Sequence, residues 1–207
     1  YNVTVRVTDM YWNLVSTAPA AVSLSSATDP YFAFGGAANV TGSKLMSAAF
    51  KRANISNTMT ASAAGFSSDV STPVYTNPNV PTKLLLLAGG ESPDEGNQPM
   101  LGKSGTPSSA TAGAAYGMKA RIVDDWFNKV PNADRSLNMS SSNDPYAVFV
   151  PAAVSTLQGE ATFNVVFKQK KDLPSGALVS ASGGPYGGTS SPVEVKPAPA
   201  KHLLLVL

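Results

Sequence analysis

The amino-acid sequence predicts an all-β protein made of two tandem β-sandwich domains, the first of which lacks its own opening strand. Apolar and polar residues alternate with a period of two in short runs such as residues 3–7, and turn-forming residues separate these runs about every ten residues. No long stretch free of Gly, Pro and β-branched residues has the i, i+3, i+4 apolar pattern of a helix. The tandem arrangement is predicted from a sequence that occurs twice.

The repeated sequence comprises residues 1–15 (YNVTVRVTDMYWNLV) and residues 116–130 (YGMKARIVDDWFNKV), which align without a gap at an offset of 115, Tyr1 with Tyr116. The same offset aligns Asp29-Pro30-Tyr31 with Asp144-Pro145-Tyr146. A repeat of about a hundred residues is as large as a domain and longer than the ~20–50-residue units of solenoids. We therefore predict domains at residues 1–80 and 81–198. The identical pairs in the two stretches are Tyr1/Tyr116, Arg6/Arg121, Asp9/Asp124, Asn13/Asn128 and Val15/Val130.

The composition favours an extracellular, turn-rich protein and excludes several classes. Only 14% of the 207 residues are charged, and the chain has 17 Gly and 16 Pro; the usual charged share is ~25%. The net charge of +2 is too small to indicate a nucleic acid or an anionic membrane as partner. Because cysteine is absent, disulfide frameworks, Cys-based zinc sites and thiol nucleophiles are excluded. No apolar run approaches the ~20 residues of a spanning helix, so no membrane insertion is expected in this segment.

In the first domain, each predicted strand ends where a turn former interrupts the apolar pattern. Asp9 and Asn13 end the first alternation because their side chains bond their own backbone. Asp29-Pro30 ends a later run, since proline cannot donate to a ladder, and Gly35-Gly36 and Gly42-Ser43 mark turns. The predicted strands cover residues 1–8, 14–15, 21–24, 31–34, 45–50, 59–62 and 74–75.

The second domain opens with a leucine run at residues 84–87, which is typical of a strand that is buried on both faces or switches between sheets. Residues 89–113 follow as a Gly- and Ser-rich stretch that is long for a structureless loop. It is expected to be either a functional Ω-type loop or a segment with short edge strands of its own. The first domain's strands then recur at residues 116–123, 137–139, 147–150, 160–167, 177–182 and 192–193.

The end of the chain repeats the leucine run: residues 199–205 match residues 81–87 at an offset of 118. Residues 199–207 are therefore expected to be the opening strand of a following unit, while the first domain starts without such a strand. Strand addition then predicts that residues 201–207 enter the open groove of another copy, so that the partner is the protein itself. The alternative is a longer continuous chain in which Leu207 runs on into a third unit. The residues predicted to form the inter-subunit strand are Lys201, Leu203, Leu204, Leu205 and Leu207.

Several motifs resemble those of bacterial immunoglobulin-like repeats of the invasin and adhesin type. They are Val7-Thr8-Asp9…Asn13-Leu14-Val15, a Gly-x-Ala-Thr-Phe strand at residues 159–163 and Val179-Ser180-Ala181. The stretch from Leu84 to Gly113 also looks like an element repeated in very large bacterial surface proteins. The resemblance implies two immunoglobulin-like sandwiches in a structural or adhesive array at the cell surface. The aromatic pairs at residues 11–12 and 126–127 depart from the small turn that many relatives have there.

Calcium is the one metal for which the sequence offers ligands, because Ca²⁺ takes six to eight oxygens. The spacing of these residues does not match an EF-hand loop, and turn chemistry is the more economical interpretation. Glu91, Asp94 and Glu95 form a second oxygen cluster, for which a solvated acidic loop is the simpler explanation. No other cofactor is expected. The calcium candidates are Asp9, Asn13, Asp124, Asp125 and Asn128.

Two further functions are weighed against plain structural roles. Exposed aromatic residues at both repeated turns would form a platform for glycans, as in a carbohydrate-binding or adhesion module; the alternative places one ring of each pair in the core. His202, the only histidine, has no Ser and Asp partners at catalytic spacing, and Gly102-Lys103-Ser104 lacks the preceding glycine of a phosphate loop. No enzymatic activity is therefore expected. The candidate platform consists of Tyr11, Trp12, Trp126 and Phe127.

Overall fold

The computed structural model describes residues 1–205, and every helix or strand in that range is a β-strand, which confirms the all-β prediction. These residues divide into two compact units: unit 1 comprises residues 1–78 with 95–97, and unit 2 comprises residues 79–94 together with residue 98 onward. The domain limits at residues 80, 81 and 198 stay a prediction. Within the described range no helix has the length and apolar character needed to span a membrane.

Unit 1 contains nine strands in two main sheets. One sheet has the order β1-β5-β3, the other has the order β4-β2-β7-β8, and β6 pairs with β9. The strand β2 alternates between buried and exposed residues, so that Ala20, Val22 and Leu24 face the core beside Val40 and Met46. The strands are β1 (Asn2–Arg6), β2 (Pro19–Ser25), β3 (Ala33–Phe34), β4 (Ala38–Thr41), β5 (Ser43–Ala49), β6 (Ile55–Asn57), β7 (Thr60–Ser62), β8 (Asp69–Val70) and β9 (Val74–Thr76).

Up to residue 205, unit 2 contains twelve strands, and its first sheet has one more strand than that of unit 1. The sheet orders are β10-β14-β18-β16 and β17-β15-β19-β20, with an antiparallel pair β11-β12 and a parallel pair β13-β21. Side chains from both four-stranded sheets meet in one core, the arrangement of a β-sandwich. The strands are β10 (Lys83–Ala88), β11 (Glu91–Pro93), β12 (Lys103–Gly105), β13 (Ala110–Thr111), β14 (Ala115–Val123), β15 (Ser136–Ser140), β16 (Val148–Val150), β17 (Val154–Ser155), β18 (Glu160–Val166), β19 (Ser180–Gly183), β20 (Tyr186–Thr189) and β21 (Val195–Lys196).

The leucine run forms β10, and it is buried on both faces as predicted. Leu84 and Leu86 belong to the main core of unit 2, whereas Leu85 and Leu87 pack on the opposite face against Val123 and Phe127. A strand with two buried faces has no position for a polar side chain, which explains why the run is continuous rather than alternating.

The long segment at residues 89–113 contains the short strands β11, β12 and β13, so the second of the two predicted alternatives is confirmed. Side chains hold it on unit 2. The Tyr116 hydroxyl donates to a carbonyl oxygen of the segment, that of Gly89 (3.0 Å) or that of Ser108 (2.9 Å). The Glu91 carboxylate accepts from the Ala88 backbone NH at 2.8 Å and lies 3.6 Å from Lys103 Nζ.

The repeated Asp-Pro-Tyr sequence provides a buried carboxylate in each unit. Asp29 accepts backbone NH groups from Tyr31 at 2.9 Å and from Arg52 at 3.0 Å, and it is 1% exposed. Asp144 accepts the NH of Lys168 at 2.7 Å in the equivalent loop. The sequence pattern indicated only a strand break at these positions, although their recurrence at the repeat offset was a signal for a shared structural role.

Candidate strand-docking site

The two units differ at one edge of their first sheets. In unit 2, β14 pairs with β18 on one side and with β10 on the other. In unit 1, the equivalent strand β1 pairs with β5 on one side and forms the edge of the sheet on the other. The cross-strand registers correspond, because Val5 lies opposite Lys44 as Ala120 lies opposite Ala161. Among residues 1–205, no strand of unit 1 pairs with this side of β1, which is the side that β10 covers on β14 in unit 2.

A groove of about 960 Å³, lined by both apolar and polar residues, runs beside this edge. We call it the docking groove. Val3 and Val5 of β1 and the following Val7 form one wall, and β7 and β8 contribute the opposite wall through Ala61 and Asp69. Side chains of β2 and Met59 lie between the walls. The groove thus opens the core of unit 1 beside an edge strand, which is the geometry that strand addition requires.

The corresponding place in unit 2 is filled by β10. Leu84 lies opposite Ile122 of β14 and so close to Gly188 of β20 that a Cβ at that glycine would overlap the Leu84 carbonyl oxygen. In unit 2, Ala181 lies opposite Gly188; in unit 1, its counterpart Ala61 lies opposite Asp69. Asp69 therefore occupies the position of Gly188. Unit 1 therefore has an acidic side chain where unit 2 has none.

The turn after β1 and the turn after β14 have the same hydrogen bonds. Asp9 Oδ1 accepts the backbone NH groups of Tyr11 and Asn13, both at 2.9 Å. Asp124 Oδ1 accepts the NH of Asn128 at 3.0 Å, and both Asp124 and Asn128 are buried. The Asn13 side chain and backbone donate to Asp9 and hold the pKa of that carboxyl below its usual range. This is the turn chemistry expected of Asp and Asn.

Trp12 and Phe127 occupy the same position in these turns, with φ angles of 67° and 61°. Their surroundings nevertheless differ. Phe127 is 6% exposed because Leu85 and Leu87 of β10 and Gly102 of the segment 89–113 lie against it, and the Lys83 ammonium lies 4.2 Å from its ring centroid. Trp12 is 75% exposed. The second turn therefore buries one ring of its pair, and the first turn presents both Tyr11 and Trp12 to solvent.

The predicted inter-subunit strand, described here for residues 201–205, is called the tail segment. It has no strand pairing, and Lys201, Leu203, Leu204 and Leu205 are all exposed. His202 is exposed beside them. Leu207, the fifth residue predicted to belong to this strand, lies outside the described residues.

The oxygens of several predicted calcium ligands accept hydrogen bonds within their own units. The oxygens of Asp9 and Asp124 accept backbone and amide NH groups of their own turns. Glu91 is directed toward Ala88 and Ser191 of unit 2. Within residues 1–205, no group of three or more His, Cys, Asp and Glu side chains converges as a metal site would need. Calcium binding stays a prediction.

One ion-pair cluster in unit 2 was not anticipated from the sequence. Glu160 accepts from Arg121 Nε at 2.6 Å and lies 3.1 Å from Lys119 Nζ. Burial opposes ionisation of Glu160, but the hydrogen bonds and charges of these two cations outweigh it and lower the pKa of the carboxyl. The three residues lie on paired strands, since Arg121 is directly opposite Glu160.

No family model matches the chain, and no curated protein matches it significantly in sequence. Similar solved structures include domains 4–9 of the surface layer protein SbsC, with 15% identity over 95% of this chain and 25% of that chain, at a TM-score of 0.36. A β-glycosidase from Bacteroides vulgatus shares 13% identity over 94% of this chain and 24% of its own, at a TM-score of 0.41.

A glycosyl hydrolase family 2 member from Bacteroides cellulosilyticus shares 11% identity over 81% of this chain and 22% of its own, at a TM-score of 0.39. The chain spans about a quarter or less of the length of these proteins. We draw no function from likenesses at TM-scores below 0.5.

Proposed function

We propose that the chain is a non-enzymatic structural module of immunoglobulin-like sandwiches that joins copies head to tail at a cell surface by strand addition. The docking groove of unit 1 receives the tail segment of a second copy. The observation that carries this proposal is the open edge of β1, which coincides with the place that β10 fills in unit 2. The tail segment supports it independently, because its sequence repeats that of β10 and its leucines are exposed.

The equivalence of the two units fixes the expected register. Leu86 lies opposite Ala120 in the β10–β14 pair. Ala120 corresponds to Val5 at the offset of 115, and Leu86 corresponds to Leu204 at the offset of 118. Leu204 of the second copy is therefore expected opposite Val5. Leu204 then enters the core side of the groove, as Leu86 does in unit 2. Burial of one leucine contributes about 1.5–3 kcal/mol, before the cost of ordering the segment is subtracted.

Such a contact joins different surfaces of the two copies. Repetition of a heterologous contact produces a filament when its rotation does not close. The main-chain hydrogen bonds along β1 supply affinity, and the alternate side chains supply register. In a longer continuous chain, the same strand would instead open the next unit, and an intact mass well above 21.3 kDa would identify that case.

A disulfide between copies tests the proposal, since the chain has no cysteine. The variant Val5→Cys, Leu204→Cys is expected to form disulfide-linked dimers and longer species under mild oxidation, because directly opposed strand residues have Cα separations of about 4.5–5.5 Å. The control Val5→Cys, Leu203→Cys should not link, because adjacent strand residues point to opposite faces. Exclusively monomeric protein in the first variant, or equal linking in both, contradicts the proposal.

A second candidate function is carbohydrate binding at the first turn. It is favoured by the exposure of the adjacent rings of Tyr11 and Trp12, since exposed aromatic faces stack on sugar rings. Glycan-array binding that Trp12→Ala abolishes and Trp126→Ala retains would support this candidate. Binding that neither substitution alters would place any glycan site elsewhere.

A further inference from the structure

The docking groove would contact only one face of an added strand. In unit 2 both faces of β10 are buried, so the second face of an added strand also needs contacts. In unit 2, the outward-facing Leu85 and Leu87 pack on Phe127 and Val123 as a small cluster separate from the main core. The ammonium of Lys83 lies over the Phe127 ring, 4.2 Å from its centroid. The turn after β14 therefore closes the outer side of β10.

Unit 1 has the same turn without the strand. The Asp9 carboxylate accepts the same backbone NH groups as that of Asp124, and Trp12 adopts a left-handed φ of 67° like that of Phe127. The ring that is buried in unit 2 is consequently exposed in unit 1. The turns themselves are alike, so the difference in exposure comes from what lies against the ring: in unit 2 the leucines of β10 and Gly102 of the segment 89–113 do so.

The tail segment carries the residues that the Trp12 ring lacks. At the offset of 118, Lys83 corresponds to Lys201, Leu85 to Leu203 and Leu87 to Leu205. Leu203 and Leu205 are both exposed in the described chain. Tryptophan is the aromatic side chain that attracts a cation most strongly, so the exchange of Phe127 for Trp12 preserves the contact with a lysine.

We propose that Trp12 is the outer-face contact of the docking site: a second copy's Leu203 and Leu205 pack against its indole, and Lys201 of that copy lies over the ring. This inference rests on the proposed strand addition and adds a specific recognition residue to it. It also explains the exposed aromatic ring as one half of an interface between copies of this chain. A sugar stacked on the free ring is the competing explanation, and the same experiment separates the two.

Trp12 fluorescence in the full-length chain tests the inference directly. The variant Trp126→Phe leaves Trp12 as the single indole. Its emission and its sedimentation are measured over the same concentration series. Trp12 emission is expected to shift to shorter wavelength in step with association, because docking removes the ring from water. Trp12→Ala should weaken association roughly tenfold, as loss of a central aromatic contact does. Lys201→Met should weaken it by about two- to fivefold.

The matched control is Tyr11→Ala, since Tyr11 is equally exposed but corresponds to Trp126, which lies outside the cluster around Phe127. This variant should associate normally. Association without a Trp12 emission change, or with equal losses in Trp12→Ala and Tyr11→Ala, overturns the inference while strand addition stands. Absence of association at every concentration overturns strand addition itself. An emission shift caused by a glycan in a non-associating protein assigns the ring to sugar binding and also overturns the inference.

Discussion

The equivalence of Leu86 and Leu204 makes a quantitative prediction about stability. Leu86 is 1% exposed in the core of unit 2, whereas Leu204 is 88% exposed. Replacing a core leucine by alanine removes transfer free energy and leaves a cavity, at a cost of about 2–5 kcal/mol. An exposed substitution changes the free energy of unfolding by about 0.5 kcal/mol or less. Leu86→Ala should therefore destabilise unit 2 by at least about 2 kcal/mol, roughly a thirtyfold change in the folding equilibrium. Leu204→Ala should leave it unchanged.

Urea unfolding of the full-length chain measures this difference. All variants carry Trp12→Phe, so that Trp126 in unit 2 is the only fluorescent indole. Unfolding is followed at a concentration where sedimentation shows monomers, because docking of the tail segment on another copy would otherwise raise the free energy of unfolding. Equal m-values for the two variants establish that the comparison concerns stability and not the extent of unfolding.

The reasoning would be refuted in two ways. A loss below about 1 kcal/mol for Leu86→Ala would mean that β10 is not an integral part of the core of unit 2. A loss for Leu204→Ala as large as that for Leu86→Ala would mean that the tail segment is already packed in the monomer. In association assays, by contrast, Leu204→Ala is expected to have the larger effect of the two substitutions, because it removes the leucine that enters the docking groove.

Three further predictions concern neighbouring residues. Gly188→Ala should destabilise unit 2 by about 1–3 kcal/mol, because its Cβ overlaps the backbone of β10; Gly187→Ala, whose Cβ has its nearest neighbour at 3.9 Å, is the control for urea unfolding. Asp69→Gly combined with His202→Leu recreates the glycine–leucine contact of unit 2. Sedimentation should show about tenfold tighter association, which one additional buried leucine supplies, and unchanged association would refute the assigned register. Glu160→Gln should lower the free energy of unfolding by up to about 1 kcal/mol at pH 7. Because the folded pKa of Glu160 lies below the usual 4.5, this difference is present above that value and disappears as pH falls through the folded pKa; a difference independent of pH contradicts the prediction.

The sequence predicted the parts of the fold that depend on strong local patterns. The leucine run of β10 and the alternation in β1 and β14 became strands at the expected places. The Asp…Asn turns also formed as expected, because Asp and Asn bond their own backbone in any context. By contrast, β4 was not predicted, since its four residues lie between the turn glycines Gly36 and Gly42 and are held by pairing with β2. Leu14 and Val15 were predicted as a strand but contribute one bridge, Thr8 to Leu14.

The candidate site shows why local patterns do not determine exposure. The turns at Trp12 and Phe127 have similar sequences and the same backbone, and sequence analysis treated both as candidate platforms. Phe127 is buried by β10, whose leucines lie about forty residues earlier in the chain, and by Gly102 of the segment 89–113. A long-range strand pairing is not visible in the turn itself. Comparison of the two units revealed it, because the repeat provides the same turn with and without its covering strand.

The open edge also has a physical consequence that is independent of any particular partner. Exposed edge strands pair readily with other chains, and proteins usually protect them with lysines, prolines or bulges. Along β1 such protection is limited to Arg6, while Val3 and Val5 face the groove and Trp12 lies exposed at its end. The groove, the unpaired backbone edge of β1 and the exposed ring of Trp12 lie in one place. A strand that covered them would pair the backbone groups of the edge and bury the ring. The tail segment combines a β-strand's length of chain, leucines on both faces and a lysine at the position that β10 uses. We expect the tail segment to repeat the contacts of β10 on this surface, except where Asp69 and His202 stand in place of Gly188 and Leu84.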